Sequence, residues 1–403
     1  MADVLEPIGA SGDKPKRSNV LILGQLSLLS GAAQEMIYPL IPTYVVLTLG
    51  ASRTLLGLVE GLLMVGVTVA RLGSAWALDR GVSARRLVRV SYVASLVSRP
   101  LLAVASNFGA VVVLRSIDGL GKGGKDAPKD LLVSIDATSA RAGRAFGILR
   151  ALDTAGSVAG PMIAGGLLLL LGHGASGLRA VFALSAVPAL AGLLTLRSIR
   201  DAAPARPHSD ARRQPLPREF KVLLAAVFIF GLANSSDTLL LLRANGTGLP
   251  AAQLAFAYAL VNLVYAVMAI PMGALSDRVG RRPLLVVAWG TYVLTYLGFA
   301  VADRPWQMWA LFAAYGLYFA SADGTIKAWL ASIVPAERRG AAYGLLAATS
   351  GVLVLPASVL AGFLWDRFSY AAAFRTSAGL AVIAIAVLVV PTGLRRTQQA
   401  RVL

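Results

Sequence analysis

The sequence predicts an all-α polytopic membrane protein, with twelve transmembrane helices in two pseudo-symmetric six-helix bundles. Three observations carry that expectation. Of the 403 residues, 57% are hydrophobic and 14% charged, and mean hydropathy is +0.69, far more apolar than a water-soluble domain. Twelve apolar stretches are long enough to cross a hydrocarbon core, which takes about 20 helical residues. The second half of the chain also repeats the first.

In order, the stretches cover 19–49, 54–78, 86–106, 108–137, 142–172, 178–198, 219–244, 250–276, 283–302, 306–334, 338–366 and 370–392. Residues 1–18 read as a polar tail without a signal peptide's apolar core and cleavage site. A first bundle follows at 19–198, a polar linker at 199–218, a second bundle at 219–392 and a tail at 393–403. Arginines concentrate in the segments on one side, including Arg80, Arg85, Arg86, Arg141, Arg144, Arg200, Arg278, Arg281, Arg282, Arg338, Arg339 and Arg395. The loops on the other side hold few, such as Arg53, Arg179, Arg304 and Arg367. The positive-inside rule therefore places both termini in the cytoplasm.

The repeat is direct. "KDLLVSI" from Lys129 matches "KAWLASI" from Lys327 at an offset of 198, "GRAFGIL" from Gly143 matches "GAAYGLL" from Gly340 at 197, and Asp79-Arg80 matches Asp277-Arg278 at 198. Six helices being an even number, the copies keep one orientation. They stand side by side about an axis along the membrane normal, with a cavity between them.

The charges inside the apolar stretches are the candidate functional residues, because an ionisable group in a bilayer is costly and defaults to function. Glu35 and Tyr38 lie in the first stretch, Glu60 in the second and Arg99 in the third. The fourth carries "RSIDGLGKGGKDAPKD", Arg115 to Asp130. At 1.5 Å per residue from Phe108, Arg115 and Asp118 lie about 10–15 Å deep. Arg115, Asp118, Lys122 and Asp126 step by three or four, so they share a helical face and are expected to neutralise one another in sequence order. The four glycines Gly119, Gly121, Gly123 and Gly124 demand protein or water around this segment. Arg150 and Asp153 lie in the fifth stretch at a depth similar to Asp118, Asp237 in the seventh, and Asp323 with Lys327, spaced for a pair, in the tenth.

From these we expect proton coupling through Glu35, Asp118, Asp153 and Asp237. Substrate contacts are expected from Glu35, Tyr38, Arg99, Arg115, Asp118, Lys122, Arg150 and Asp237, and gating from Asp79, Arg80, Lys129, Asp277, Arg278, Arg281, Asp323 and Lys327. The carboxylate expectation requires an acid with no permanent partner, so that it can gain and lose a proton near neutrality.

"GALSDRVGRRPLL", Gly273 to Leu285, resembles the cytoplasmic-loop signature of the major facilitator superfamily, G-x-L-x-D-R-x-G-R-R, at every defined position. "GILRALDTAGSVAGPMIAGG", Gly147 to Gly166, is similar to that superfamily's antiporter motif: Gly147, Gly156, Gly160 and Pro161 fall at its spacings, with Ala164-Gly165 in place of its last two glycines. "QEMIYPLIPTYV", "GLGKGGKDAPKD" and "NSSDTLLLLRA" resemble a bacterial drug or metabolite efflux branch. The resemblance implies the major facilitator fold and a secondary active transporter in the bacterial inner membrane. Proton-coupled antiport would export a drug-like amphiphile or an acidic metabolite such as a siderophore by alternating access. The alternative is a nutrient or metal-chelate importer or uniporter.

Composition narrows the other classes. There is no cysteine, and the two histidines, His173 and His208, fall in loops, so an intramembrane enzyme and a soft-metal site are both poorly supplied. No extra soluble domain offers a sensor output. The excess of 38 Lys and Arg over 20 Asp and Glu serves the cytoplasmic face, not nucleic acid. The expected partners are a small-molecule substrate and the lipid bilayer, the protein acting as a monomer with no cofactor or metal and with the proton gradient as energy source.

Overall fold

The computed structural model describes residues 19–136, 142–199, 216–335 and 338–389. Most of the expected linker and both tails lie outside these residues, as do Arg141, Arg200 and Arg395. In the first half run α1 (Asn19–Ile37), α2 (Arg53–Asp79), α3 (Ala84–Leu101), α4 (Phe108–Gly124), α5 (Asp126–Asp136), α6 (Ala142–Leu171), α7 (Ala175–Leu184) and α8 (Ala186–Thr195). The second half has α9 (Arg218–Ala233), α10 (Thr238–Asn245), α11 (Ala251–Val279), α12 (Arg281–Val301), α13 (Pro305–Ile333), α14 (Arg339–Arg367) and α15 (Tyr370–Val389). Among the described residues ten helical segments are long and apolar enough to cross a membrane. The two expected spans not among them are the broken α4–α5 stretch, with Arg115 and Asp118, and α13, with Asp323 and Lys327.

Four expected stretches are interrupted. The fourth splits at Lys125, the sixth at Ser185 just before Pro188, and the seventh across Asn234–Asp237. Pro188 has no N–H to continue the helical ladder. In the first stretch, Pro39 and Pro42 have the same effect, and α1 passes into a 3-10 turn at Tyr38–Leu40 and then a π-helical run at Thr43–Thr48. Helix starts are capped by side chains: Ser52, Ser83 and Asn107 accept the N–H of Leu55, Arg86 and Ala110. The arginine-rich turns each use a glycine with left-handed φ, +80° at Gly81 and +93° at Gly280.

Glycine decides how closely the helices approach. Gly57 and Gly61 of α2 lie against Ser358 and Leu355 of α14, where an added Cβ would overlap the facing backbone. Gly119 and Gly123 of α4 meet the carbonyls of Leu63 and Val67 on α2 in the same way. Gly156 and Gly160 of α6 seat on Leu28 and Ala32 of α1, and Gly165 meets the Phe256 ring of α11. Thus α6 packs on α1 and α11, while α4 packs on α2 and α3. Asp118 and Asp153 are therefore not on adjacent helices.

The halves meet along α2 with α14 and α6 with α11. On the face away from the arginine-rich turns, Asp366 at the end of α14 accepts the N–H groups of Arg53 and Thr54 at 3.2 and 2.8 Å, and the Thr54 hydroxyl at 2.7 Å. Nearer the arginine-rich face, the side chains of Arg150, Asp153, Asp323 and Lys327 remain 38–61% exposed.

Candidate functional site

A cavity of about 220 Å³ lies between the halves. The first half contributes Gln34, Glu35, Tyr38, Glu60, Arg115, Asp118 and Lys122, and the second Asn234 to Asp237, Tyr258 and Phe319. The broken segments supply several of these. Tyr38 stands on the 3-10 turn, and Asn234–Asp237 is the unwound junction between α9 and α10, where backbone polar groups are free of the helical ladder.

Charges in the first half form a closed network. Arg115 donates through Nη2 to both Glu60 oxygens, at 2.7 and 3.0 Å, and lies 3.4 Å from Asp118 through Nη1. Arg99 donates from Nε to the other Asp118 oxygen at 2.9 Å, from Nη1 to the Ser30 carbonyl at 2.9 Å, and from Nη2 to Gln34 Oε1 at 3.1 Å. All four charged side chains are at most 3% exposed. Two guanidiniums and two carboxylates cancel, and buried charges demand such pairing.

The expectation of sequential neutralisation along α4 fails beyond Asp118. Asp126 starts a new helix and pairs with Arg71 of α2 at 2.6 Å, leaving Lys122 aimed at the cavity with no carboxylate at ion-pair distance among the described residues. Asp118, held by two arginines, lacks the freedom that a proton carrier requires. Lys125, at the break, lies over the Tyr92 ring at 4.4 Å and donates to Ser30 Oγ at 3.3 Å.

Two carboxylates differ from the network. Glu35 accepts from Gln34 Nε2 at 2.7 Å on one oxygen, while its other oxygen is buried without a partner. Asp237 accepts the Tyr315 hydroxyl at 2.7 Å. Neither has a cation at ion-pair distance among the described residues, and they belong to opposite halves. Gln34 links Glu35 to Arg99, so the free acid and the saturated network are joined by two hydrogen bonds. Tyr38 bridges the halves: its ring lies 5.1 Å from that of Tyr258 and its hydroxyl 3.5 Å from Ser236 Oγ.

The remaining expected residues fall elsewhere. Arg99 is buried behind Asp118 and does not line the cavity. Arg150 donates across the halves to Tyr265 at 2.7 Å, and Asp153 is 3.9 Å from Arg150, both partly exposed. Lys327 pairs with Asp323 at 2.8 Å, as their spacing predicts, and Tyr265 donates to Asp323 at 3.3 Å. Asp277 and Arg281 approach to 3.9 Å across the Gly280 turn, beside Arg278. In the matching turn of the first half, the Arg80 guanidinium stacks 3.5 Å over Trp76, next to Asp79. Lys129 lies on α5, one turn beyond Lys125.

Glu60, an expected embedded charge, enters the site as the partner of Arg115, and four residues with no role expected from sequence join it: Gln34, Asn234, Ser235 and Ser236. The signal for the last three was present: a polar run, "NSSD", inside an apolar stretch. Arg243 was missed too. It is buried and donates to the carbonyls of Phe299 and Ala302, closing the end of α12, and stacks 3.8 Å from Tyr370.

Comparison with known proteins agrees with this architecture. An uncharacterised MFS-type transporter of Methanocaldococcus jannaschii is 29% identical over 93% of this chain and 96% of its own. The multidrug resistance protein MdtG of Enterobacter lignolyticus is 26% identical over 74% of this chain and 73% of its own. The crystal structure of a point mutant of the nucleoside transporter NupG superposes with a TM-score of 0.76 over 92% of this chain and 99% of that one, at 12% identity, which speaks to the fold alone. The profile of the Major Facilitator Superfamily matches residues 25–243 and 222–401, two overlapping matches that together cover both halves. With two such halves enclosing a charged central cavity, the chain belongs to the major facilitator superfamily and is a membrane transporter.

Proposed function

We propose that this transporter is a proton-coupled antiporter of the bacterial inner membrane that exports a small organic compound by alternating access. The arginine-rich face and both termini would lie in the cytoplasm, the protein working as a monomer with the proton gradient as its only energy source. The observation that carries the reading is the contrast between the carboxylates. Glu60 and Asp118 are locked to arginines, whereas Glu35 and Asp237 face the cavity from opposite halves with no permanent cation. An acid that exchanges a proton with the medium needs that freedom.

Of the two substrate classes the sequence raises, the geometry favours an amphiphile over an acidic metabolite. Arg99 and Arg115 are already engaged by carboxylates, so they offer an anion little, while Tyr38, Tyr258 and Phe319 give the cavity an apolar wall. The likeness to MdtG, a multidrug resistance protein, points the same way. Closure through Asp366 on one face and exposed charges on the other match a state open toward the arginine-rich side, from which an exporter loads.

The test is transport in proteoliposomes with the pH gradient set independently of the membrane potential. Uptake of a fluorescent amphiphilic dye should follow the gradient, reverse with it, and fall at least tenfold in Glu35→Gln or Asp237→Asn. Transport indifferent to the gradient would leave a uniporter or importer as the better reading.

A further inference from the structure

A second set of charges lies inside the first half, away from the central cavity. At the break between α4 and α5, Lys125 is 9% exposed, with its ammonium 4.4 Å over the Tyr92 ring of α3 and 3.3 Å from Ser30 Oγ of α1. Lys129, one turn on, is within electrostatic range of the Tyr92 hydroxyl. Neither ammonium has a carboxylate at ion-pair distance among the described residues. The acids nearby are paired or solvated: Asp126 holds Arg71 at 2.6 Å, Asp153 lies beside Arg150, and Asp130 is exposed. Arg99, which also acts on Lys125, is spent on Asp118. The Tyr92 hydroxyl and Ser27 Oγ, within reach of one another, are both buried without a partner.

The repeat shows what is missing here. Shifted by 198 residues, Lys125 falls on Asp323 and Lys129 on Lys327, and in the second half those two form an ion pair at 2.8 Å. The first half keeps one lysine and has a second where the carboxylate would be. We infer that a small monovalent inorganic anion of the halide class binds among Lys125, Lys129 and the hydroxyls of Tyr92 and Ser27. It supplies the negative charge that Asp323 supplies in the other half.

A buried ammonium without a counter-charge is costly. Two ammoniums and two unpartnered hydroxyls offer only hydrogens that still lack an acceptor, which suits an ion that only accepts. The N-terminus of α5 at Asp126 adds its partial positive charge. Packed between α1, α3 and α5, these side chains do not line the central cavity, so the ion is resident and not cargo. Ser30 accepts from both Lys125 and Arg99, which joins the anion site to the Arg99–Asp118 pair.

The test exchanges the purified full-length protein into sodium gluconate, whose anion is too bulky for so enclosed a position. Thermal unfolding is then followed as chloride replaces gluconate at constant ionic strength, and binding is read directly from chloride NMR line broadening. The native protein should gain Tm along a saturating curve, and bromide should compete for the broadening. Tyr92→Phe keeps the ring under Lys125 but removes one donor, and should weaken chloride about tenfold, about 1.4 kcal/mol. Lys129→Met should abolish the saturating gain. Lys125→Asp gives the first half the pairing of the second, and should be as stable in gluconate as the native protein is in chloride, with no further gain from chloride. A native Tm that ignores chloride, or rises without saturating, overturns the inference. So does a saturating effect of native strength in both Lys129→Met and Tyr92→Phe, because the ion would then sit elsewhere, and so does chloride dependence retained by Lys125→Asp.

Discussion

Arg115 and Glu60 show at the residue scale why burial and function separate. Their contact joins α4 to α2 at 2.7 Å with both side chains at most 3% exposed. Removing one member of a buried pair strands the other, which typically costs about 3–5 kcal/mol. Glu60→Gln should therefore lower the stability of the detergent-purified protein by about 3 kcal/mol, read as a marked fall in Tm. Glu35→Gln breaks no ion pair and should leave Tm nearly unchanged while removing coupling. Equal losses of stability would mean that Glu35 is also structural. Sequence spacing could find Asp323 with Lys327, because i and i+4 always meet on one helix. It could not find Arg99 with Asp118 or Arg115 with Glu60, because partners 19 and 55 residues apart are chosen by how helices rotate against one another. Hence the burial of Arg115 and Asp118 on α4 was legible, while the identity of the free carboxylates was not.

Among the elements, α4 illustrates how glycine and charge depend on each other. Gly119 and Gly123 recur every four residues on the face that touches α2, and Cβ atoms there would overlap the carbonyls of Leu63 and Val67. Only this approach brings Arg115 within reach of Glu60. Gly119→Leu should separate the helices, cost about 1–3 kcal/mol of overpacking and impair transport although Gly119 itself does not line the cavity. Gly147 of α6 has open space at its Cβ position, so Gly147→Ala should leave both stability and transport close to native. A loss at Gly147 equal to that at Gly119 would refute packing as the reason. The apolar stretches and their order were legible because a membrane helix must be long and apolar. The breaks at Lys125, Ser185 and Asn234–Asp237 were not, since hydropathy averages over them. Yet it is the last break that sets Asp237 facing Glu35's half.

At the scale of the whole molecule, one helix terminus of one half is capped by the other. Asp366, from the end of α14, accepts three hydrogen bonds from Arg53 and Thr54 at the start of α2, and the Arg53 guanidinium lies 3.6 Å away. An N-cap carboxylate is worth about 1 kcal/mol, and here that energy exists only while the halves are closed on this face. Rocking the halves apart must break it, so the cap biases the equilibrium toward the state open at the arginine-rich face. Asp366→Ala should shift that equilibrium toward opening on the capped face by about fivefold, the equivalent of about 1 kcal/mol. The chain's lack of cysteine makes the measurement direct. Ser106→Cys and Asp303→Cys place spin labels on that face, one in each half, and electron–electron distances report its opening. A longer-distance population should grow when Asp366 is removed, and Asp366→Asn, which keeps an acceptor oxygen, should restore part of the short one. An unchanged distribution would mean that the glycine-lined contacts of Gly57 and Gly61 with α14 hold the face closed without help from the cap.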